Sequence, residues 1–284
     1  MSSRTGKTTR PLVKPFIKWA GGKRQLIPEL NKHIPKKYNA YYEPFIGGGA
    51  LLFELQPSKA FISDMNEDLV LTYISVRDGI DELIELLKDY ETKNNSKDYY
   101  KIRAMDRDAD KFSKMKDVER AARLIYLNKT CYNGLYRVNS QGLFNTPFGN
   151  YKNPAICDEY VLRAVNDYFV NNDITIRHMD FEMTVKNAEK SDFIYFDPPY
   201  HSPDNTNFTG YQSGGFDESE QERLADTFKR LADIGAYCSL SNSSTKLIRD
   251  LYKDYHIYTV KANRAINSNG NDRGAVDEVI VTSW

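Results

Sequence analysis

Residues 193–200 read FIYFDPPY. A hydrophobic run, Phe193 to Phe196, delivers a carboxylate, Asp197, then two prolines, Pro198 and Pro199, then a flat ring, Tyr200. Each proline removes an N–H and fixes its own φ, so the intervening carbonyls are held in place and kept out of helix formation. A carboxylate beside a rigid carbonyl makes a pair of hydrogen-bond acceptors, and the tyrosine offers a face for stacking. Their complement is a planar amine, with two N–H donors on an aromatic ring. The plainer alternative is a proline-terminated strand with a chance acid.

A second stretch, EPFIGGGALLFEL at 43–55, is followed by Asp64. A strand feeding a glycine-rich turn and a helix lets the backbone approach a ligand closely. An acid at the end of the next strand, 17 residues after Gly47, is placed to accept hydrogen bonds from ribose hydroxyls. The stretch lacks a full G-x-G-x-x-G, which weighs against a nicotinamide or flavin dinucleotide. Together the two sites suit one reaction. An aromatic exocyclic amine is a poor nucleophile because its lone pair is delocalised into the ring. Two acceptors gripping its hydrogens favour a pyramidal nitrogen, able to attack a methyl group on a sulfonium in line. That chemistry needs no metal, and the sequence suggests none.

Elements must position these groups. YYEPF and KAFISD read as strands, ALLFEL as a short helix, and MNEDLVLTYISVRD as a helix with Leu69, Tyr73 and Val76 at helical spacing. From Gly79 the pattern changes to amphipathic helices, DELIELLKDYETKN and DVERAARLIYLNKT, then to YRVNSQGLFNTPFGNY, which reads as a hairpin. After Cys157 strands and helices alternate again: ITIRHMDF, EMTVKNAE, DFIYFD, ESEQERLADTFKRLADIG, AYCSLSN, HIYTVKA and VDEVIVTSW. This predicts an α/β fold, a Rossmann-like open mixed sheet with helices on both faces, plus a helical insert carrying a β-hairpin. The expected divisions are a flexible basic N-terminus at 1–14, a ligand-binding catalytic domain at 15–78 and 158–284, and the insert at 79–157.

Composition bounds the partners. The chain of 284 residues is 27% charged with a formal net charge of zero, yet the charge is unevenly spread. Residues 1–37 hold 10 Lys/Arg against one acid and 97–163 hold 13 against 8, whereas 38–96 hold 4 against 11 and 164–284 hold 12 against 19. Two basic blocks folded onto one face suit nucleic acid; an ordinary mixed surface is the alternative. No apolar run reaches the ~18 residues of a membrane helix, and MSSRTGKTTR has no apolar core of a secretory signal. No glycine sits five positions before Gly6, so its Gly-Lys-Thr is not a phosphate loop. Cys131, Cys157 and Cys238 are scattered and odd in number, which reads as reduced thiols in the cytoplasm.

FIKWAGGKRQL, EPFIGGG, FISDMN and FDPPY, in that order, resemble the Dam-like DNA adenine-N6 methyltransferases. NKTCYNGLYRVNSQGLFNTPFGNYKNP is similar to the segment with which these enzymes read GATC, and SNGNDRGAVDEVIV is similar as well. The resemblance runs from about Pro15 to the C-terminus. It implies S-adenosyl-L-methionine as cofactor, double-stranded DNA as substrate and a flipped adenine as the base that FDPPY receives. It implies a monomer or weak dimer off the membrane, acting either beside a separate cognate restriction endonuclease or alone in replication and repair.

Residue by residue, the resemblance implies that Trp19, Lys23, Phe45, Gly47, Gly49, Asp64, Asp180 and Asp197 hold the cofactor. Asp64 grips the ribose and Asp180 lies near the cofactor adenine. Asp197, Pro198, Pro199 and Tyr200 form the catalytic loop. For DNA it implies Lys18, Tyr132, Asn133, Leu135, Arg137, Pro147 and Tyr151. Arg137 and Lys18 each read a guanine, Tyr132 wedges into the vacated stack, and Leu135 and Pro147 meet a thymine methyl. Lys129 replaces what is often an arginine in the family, and Asn150 departs from the basic residue common before YK. An N4-cytosine DNA or RNA amine methyltransferase could use the same fold and acid-Pro-Pro string, and a catalytically inactive DNA-binding homologue could retain the fold.

Overall fold

The computed structural model describes residues 13–19, 26–202, 215–263 and 275–284. Seven strands form one sheet: β1 (Tyr41–Glu43), β2 (Lys59–Asp64), β3 (Asp173–His178), β4 (Phe193–Phe196), β5 (Tyr237–Ser243), β6 (His256–Asn263) and β7 (Ala275–Thr282). Their order is β3-β2-β1-β4-β5-β7-β6. β1 to β5 pair in parallel, and β7 runs antiparallel between β5 and β6. The order reverses where β1 pairs with β4, Tyr41 opposite Phe193. Ligands bind at such switch points, beyond the carboxyl ends of the strands.

Alternation along the central strands explains both faces. Tyr41, Phe193 and Tyr195 enter one hydrophobic cluster; Tyr42, Ile194 and Phe196 enter the other. Successive side chains of a strand point to opposite faces, so a run such as FIYF is buried on both. Helix Glu67–Asp78 covers the first face with Leu69, Tyr73 and Val76, all fully buried, at the spacing its sequence predicts. The Asn66 side chain caps it, accepting from Leu69 N at 2.9 Å. Helix Glu218–Asp233 covers the second face with Leu224, Phe228 and Leu231. Each such side chain contributes ~1.5–3 kcal/mol on burial.

Between β2 and β3, residues 65–172 add no strand to the sheet. Helices Ile80–Glu91 and Asp117–Thr130 pack here, and Leu83, Leu87, Tyr99 and Tyr126 join the cluster of the first sheet face. Among the described residues, three helices of six or more residues exceed the expected elements: Ser96–Arg103, Glu159–Val170 and Lys246–Leu251. The first and last are short, with little apolar period to read. Glu159–Val170 does carry one, burying Val161, Leu162, Val165, Tyr168 and Phe169. The expected hairpin lacks continuous strands. It is reduced to two isolated antiparallel bridges, Val138 to Phe144 and Cys131 to Phe148. Pro147 has no N–H for a ladder, and Asn139 Oδ1 takes the Gln141 and Leu143 N–H groups at 3.0 Å each.

No helix among the described residues is long and apolar enough to cross a membrane. Lys23 and the loop 264–274 lie outside the described residues, as do 1–12 of the basic N-terminus.

Candidate active site

The glycine turn after β1 is built by its neighbours. Gly47 and Gly49 have φ of +46° and +67°, a region that glycine enters without penalty. A Cβ on Gly47 would stand 2.9 Å from Trp19 Cδ1, and one on Gly49 would stand 2.8 Å from the Tyr73 hydroxyl. Tyr73 donates to the Gly47 carbonyl at 3.0 Å. Asp64, ending β2, accepts the Gly47 N–H at 3.1 Å and the Asn66 N–H at 2.9 Å. Burial pushes its carboxyl above the ordinary value, while those two N–H groups pull the other way. Trp19 stacks on Tyr136 with ring centroids 4.8 Å apart, so the N-terminal segment meets the insert here.

Asp180 caps the one-turn helix Phe181–Thr184, accepting from Glu182 N at 3.0 Å. Arg223 reaches it from the helix over the second face, with Nη2 2.8 Å and Nη1 3.1 Å from the carboxylate. The same guanidinium lies 4.1 Å over the Phe181 ring, which stacks on Phe45 at 5.4 Å. Burial would raise the Asp180 carboxyl, but Arg223 and the backbone N–H groups outweigh it and hold the group below its ordinary value. Sequence patterns carry no signal for Arg223, which is 43 residues from its partner.

β4 ends at Phe196, and Asp197, Pro198, Pro199 and Tyr200 follow at the switch point. Glu43, the last residue of the neighbouring β1, is 2% exposed and accepts from the Tyr41 hydroxyl at 2.8 Å. Burial drives its carboxyl well above the usual range and the Asp197 charge adds to the shift, opposed by the Tyr41 hydrogen bond. Burial likewise pushes the Tyr200 phenol up, and its O–H donates to Glu278 Oε2 on β7 at 3.3 Å. The Pro199 carbonyl accepts from Gln221 Nε2 at 3.0 Å. Glu43 and Glu278 stand inside quoted motifs, yet only the fold gives them partners.

The predicted DNA-reading residues gather on a separate set of loops that starts where helix Asp117–Thr130 ends. Tyr132 is 58% exposed, and its N–H is held by the Pro147 carbonyl at 2.8 Å. Asn133 has φ +56°, with its N–H on the Tyr151 hydroxyl at 2.9 Å. Arg137 is exposed, and Leu135 is half-buried. Asn128 clasps Lys18 from both sides: its Oδ1 accepts the Lys18 N–H at 2.9 Å and its Nδ2 donates to the Lys18 carbonyl at 2.7 Å. A Cβ on Gly134 would lie 2.7 Å from Lys18 Cδ, so the lysine runs across this turn. Behind the loop, Asp106 accepts the Phe144 N–H at 2.9 Å and pairs with the buried Arg123 at 2.9 Å. The structure thus forms two groups, one at the switch point and one on the insert. Lys18 and Trp19, adjacent in sequence, join them.

The chain matches the family model described as D12 class N6 adenine-specific DNA methyltransferase over residues 19–266. It is 46% identical to the Type II methyltransferase M1.LlaDCHI of Lactococcus lactis subsp. cremoris, covering 96% of each chain. It is 42% identical to the Type II methyltransferase M.MjaIII of Methanocaldococcus jannaschii, over 96% of this chain and 99% of the other. It is 33% identical to the DNA adenine methylase of Escherichia coli K12, over 94% of each. On that match and those identities, this chain belongs to the D12 class N6 adenine-specific DNA methyltransferases.

Proposed function

We propose that the protein transfers the methyl group of S-adenosyl-L-methionine to the N6 amine of an adenine flipped out of duplex DNA, and that GATC is its site. The observation that carries this is the adjacency of β1 and β4. It sets the glycine turn and Asp64 beside Asp197-Pro198-Pro199-Tyr200, at the carboxyl edge of the sheet. The turn fits the cofactor: at two positive-φ glycines its backbone packs directly against Trp19 and Tyr73, where a Cβ would clash, and a strand-end carboxylate borders it. Trp19, Phe45, Gly47, Gly49, Asp64 and Asp180 would hold S-adenosyl-L-methionine, which when bound supplies an electrophilic methyl group on a sulfonium. Lys23 is assigned there by resemblance alone.

The chain's own residues do the rest. Gln221 engages the Pro199 carbonyl, and Asp197 and the Pro198 carbonyl are assigned as the acceptors for the two amine N–H bonds. Held so, the nitrogen lone pair is localised and aimed. Tyr200 stacks on the base. On the insert, Arg137 and Lys18 read guanines, Tyr132 fills the vacated stack, Leu135 and Pro147 meet a thymine methyl, and Asn133 and Tyr151 brace the turn. The Type II names of the two relatives above 40% identity support a restriction–modification role, with the cognate endonuclease a separate protein.

The test is to incubate the chain with labelled S-adenosyl-L-methionine and duplexes that hold GATC or each single-base variant of it, then to identify the product nucleoside. N6-methyladenine confined to GATC is the expected result. N4-methylcytosine, or equal labelling of all duplexes, would overturn the reading.

A further inference from the structure

Tyr200 lies between two peptide groups that are both tied to the same pair of buried amides. Gln221, on helix Glu218–Asp233, and Asn242, on β5, are fully buried. Gln221 Nε2 donates to the Pro199 carbonyl at 3.0 Å, and Gln221 Oε1 accepts from Asn242 Nδ2 at 3.0 Å. Asn242 Oδ1 in turn accepts the His201 N–H at 3.0 Å and its own neighbour's, Ser243 N–H, at 2.8 Å. Ser243 Oγ returns to the His201 carbonyl at 2.5 Å, and the His201 ring meets Thr245 Oγ1 at 2.8 Å.

The chain of bonds has a single consistent polarity. A backbone carbonyl can only accept and a backbone N–H can only donate, so each end fixes the orientation of the amide it touches. Neither amide can flip without leaving buried groups unsatisfied, which costs about 1–3 kcal/mol per group. A satisfied buried network of this kind holds one geometry.

We propose that Gln221 and Asn242 are positioning residues for methyl transfer. They clamp the backbone on either side of Tyr200, and they withdraw the Pro199 carbonyl so that the Pro198 carbonyl stands with Asp197 to receive the amine. This rests on the assignment of Asp197–Tyr200 as the loop that grips the base. Neither residue touches the reacting atoms. Their action is to remove the loop's freedom before the base arrives, and misplacement by about 1 Å costs up to ~10²-fold in rate.

The experiment compares Gln221→Met and Gln221→Glu with the parent in the full-length chain. Single-turnover rates on a GATC duplex are measured from acid to alkaline pH, with S-adenosyl-L-methionine affinity and melting temperature alongside. Methionine fills the volume but cannot donate, so its rate should fall by at least about tenfold at every pH, with cofactor affinity within about threefold. Glutamic acid, when protonated, donates O–H to Pro199 and accepts from Asn242, as the amide does; ionised, it sets a negative charge against a carbonyl. Its rate relative to the parent should be near one at acid pH and fall as the introduced carboxyl ionises. Asp197, Tyr200, His201, Glu218 and Glu278, the ionisable side chains on this loop or bonded to it, are shared by both proteins, and the ratio removes their effect.

A Gln221→Met rate within about threefold of the parent overturns the proposal, as does a parallel loss of cofactor affinity and rate, which marks general loosening. If Gln221→Met does not fold, the Gln221→Glu ratio decides, and a ratio independent of pH overturns it. A parent chain that makes no N6-methyladenine refutes the underlying function instead, and no variant is needed to see it.

Discussion

The Asp64 carboxylate at the end of β2 accepts the Gly47 N–H at 3.1 Å, across 17 residues of chain. One oxygen thus fixes the glycine turn while the other takes Asn66 N–H. The acid is therefore part of the turn's architecture as well as the proposed ribose acceptor. Asp64→Ala should weaken S-adenosyl-L-methionine binding by ~1.5–3 kcal/mol, the range of a charged hydrogen bond. DNA binding at low salt should stay close to the parent's, because the phosphate contacts proposed for the two basic blocks do not involve Asp64. Calorimetric titration with cofactor checks this; an unchanged dissociation constant would leave Asp64 as a strand-end cap only.

Asp197→Asn should abolish methyl transfer in a protein that still folds. The amide is a weaker acceptor and adds a competing donor where the amine's own hydrogens arrive. The side chain sits at the end of a strand whose four residues are buried, so loss of fold is not expected from a change of one atom. Gripping the amine should be worth more than ~1.4 kcal/mol, so single-turnover transfer within about tenfold of the parent would sink the proposed role.

Much of the frame was readable from the residues, for a physical reason. FIYF and KAFISD are strands because their apolar residues pack on both faces of a sheet, and helix Glu67–Asp78 buries Leu69, Tyr73 and Val76 on one stripe. These are local periodicities. The partners that hold the site are not local. Asn128 clasps Lys18 over 110 positions, Arg223 meets Asp180 over 43, and Gln221 meets Pro199 over 22. Amide and guanidinium side chains on helices look like solvated surface until the fold brings a carbonyl to them. The hairpin was legible too, though it pairs over fewer residues than its pattern suggests. Its alternation is genuine, but Asn139 and Pro147 divert the hydrogen bonds that a ladder would need.

The ion pair between Asp180 and Arg223 should make stability depend on pH. The Asp180 carboxyl is held below its ordinary value, so its contribution is full above the unfolded value of ~4 and is lost as pH falls through the lower, folded value. Both side chains are about a third exposed, and solvent screening limits the pair to on the order of 1 kcal/mol. Arg223→Ala should therefore lower the melting temperature by about 2–4 °C near neutral pH. That gap should close in acid. A gap that stays constant down to pH ~2 would show that Arg223 acts through its packing on Phe181 rather than through charge.

Specificity should rest on Arg137, whose Nε donates to Asn145 Oδ1 at 2.7 Å and whose Nη2 lies 3.4 Å from the Asn145 carbonyl. That residue is braced in turn, since Arg103 Nη1 approaches its carbonyl at 3.4 Å. Holding Nε sets the plane of the guanidinium, and a fixed plane is what bidentate contact with guanine O6 and N7 requires. Arg137→Ala should then lower methylation of GATC far more than that of near-cognate sites, relaxing preference at one base pair by ~1–3 kcal/mol. Asp64→Ala should instead slow all sites alike, because the cofactor is common to them. Initial rates on GATC and each single-base variant separate the two patterns. If Arg137→Ala reduces every substrate by one factor, the arginine holds a phosphate or the fold, and base reading belongs to another residue of the loop.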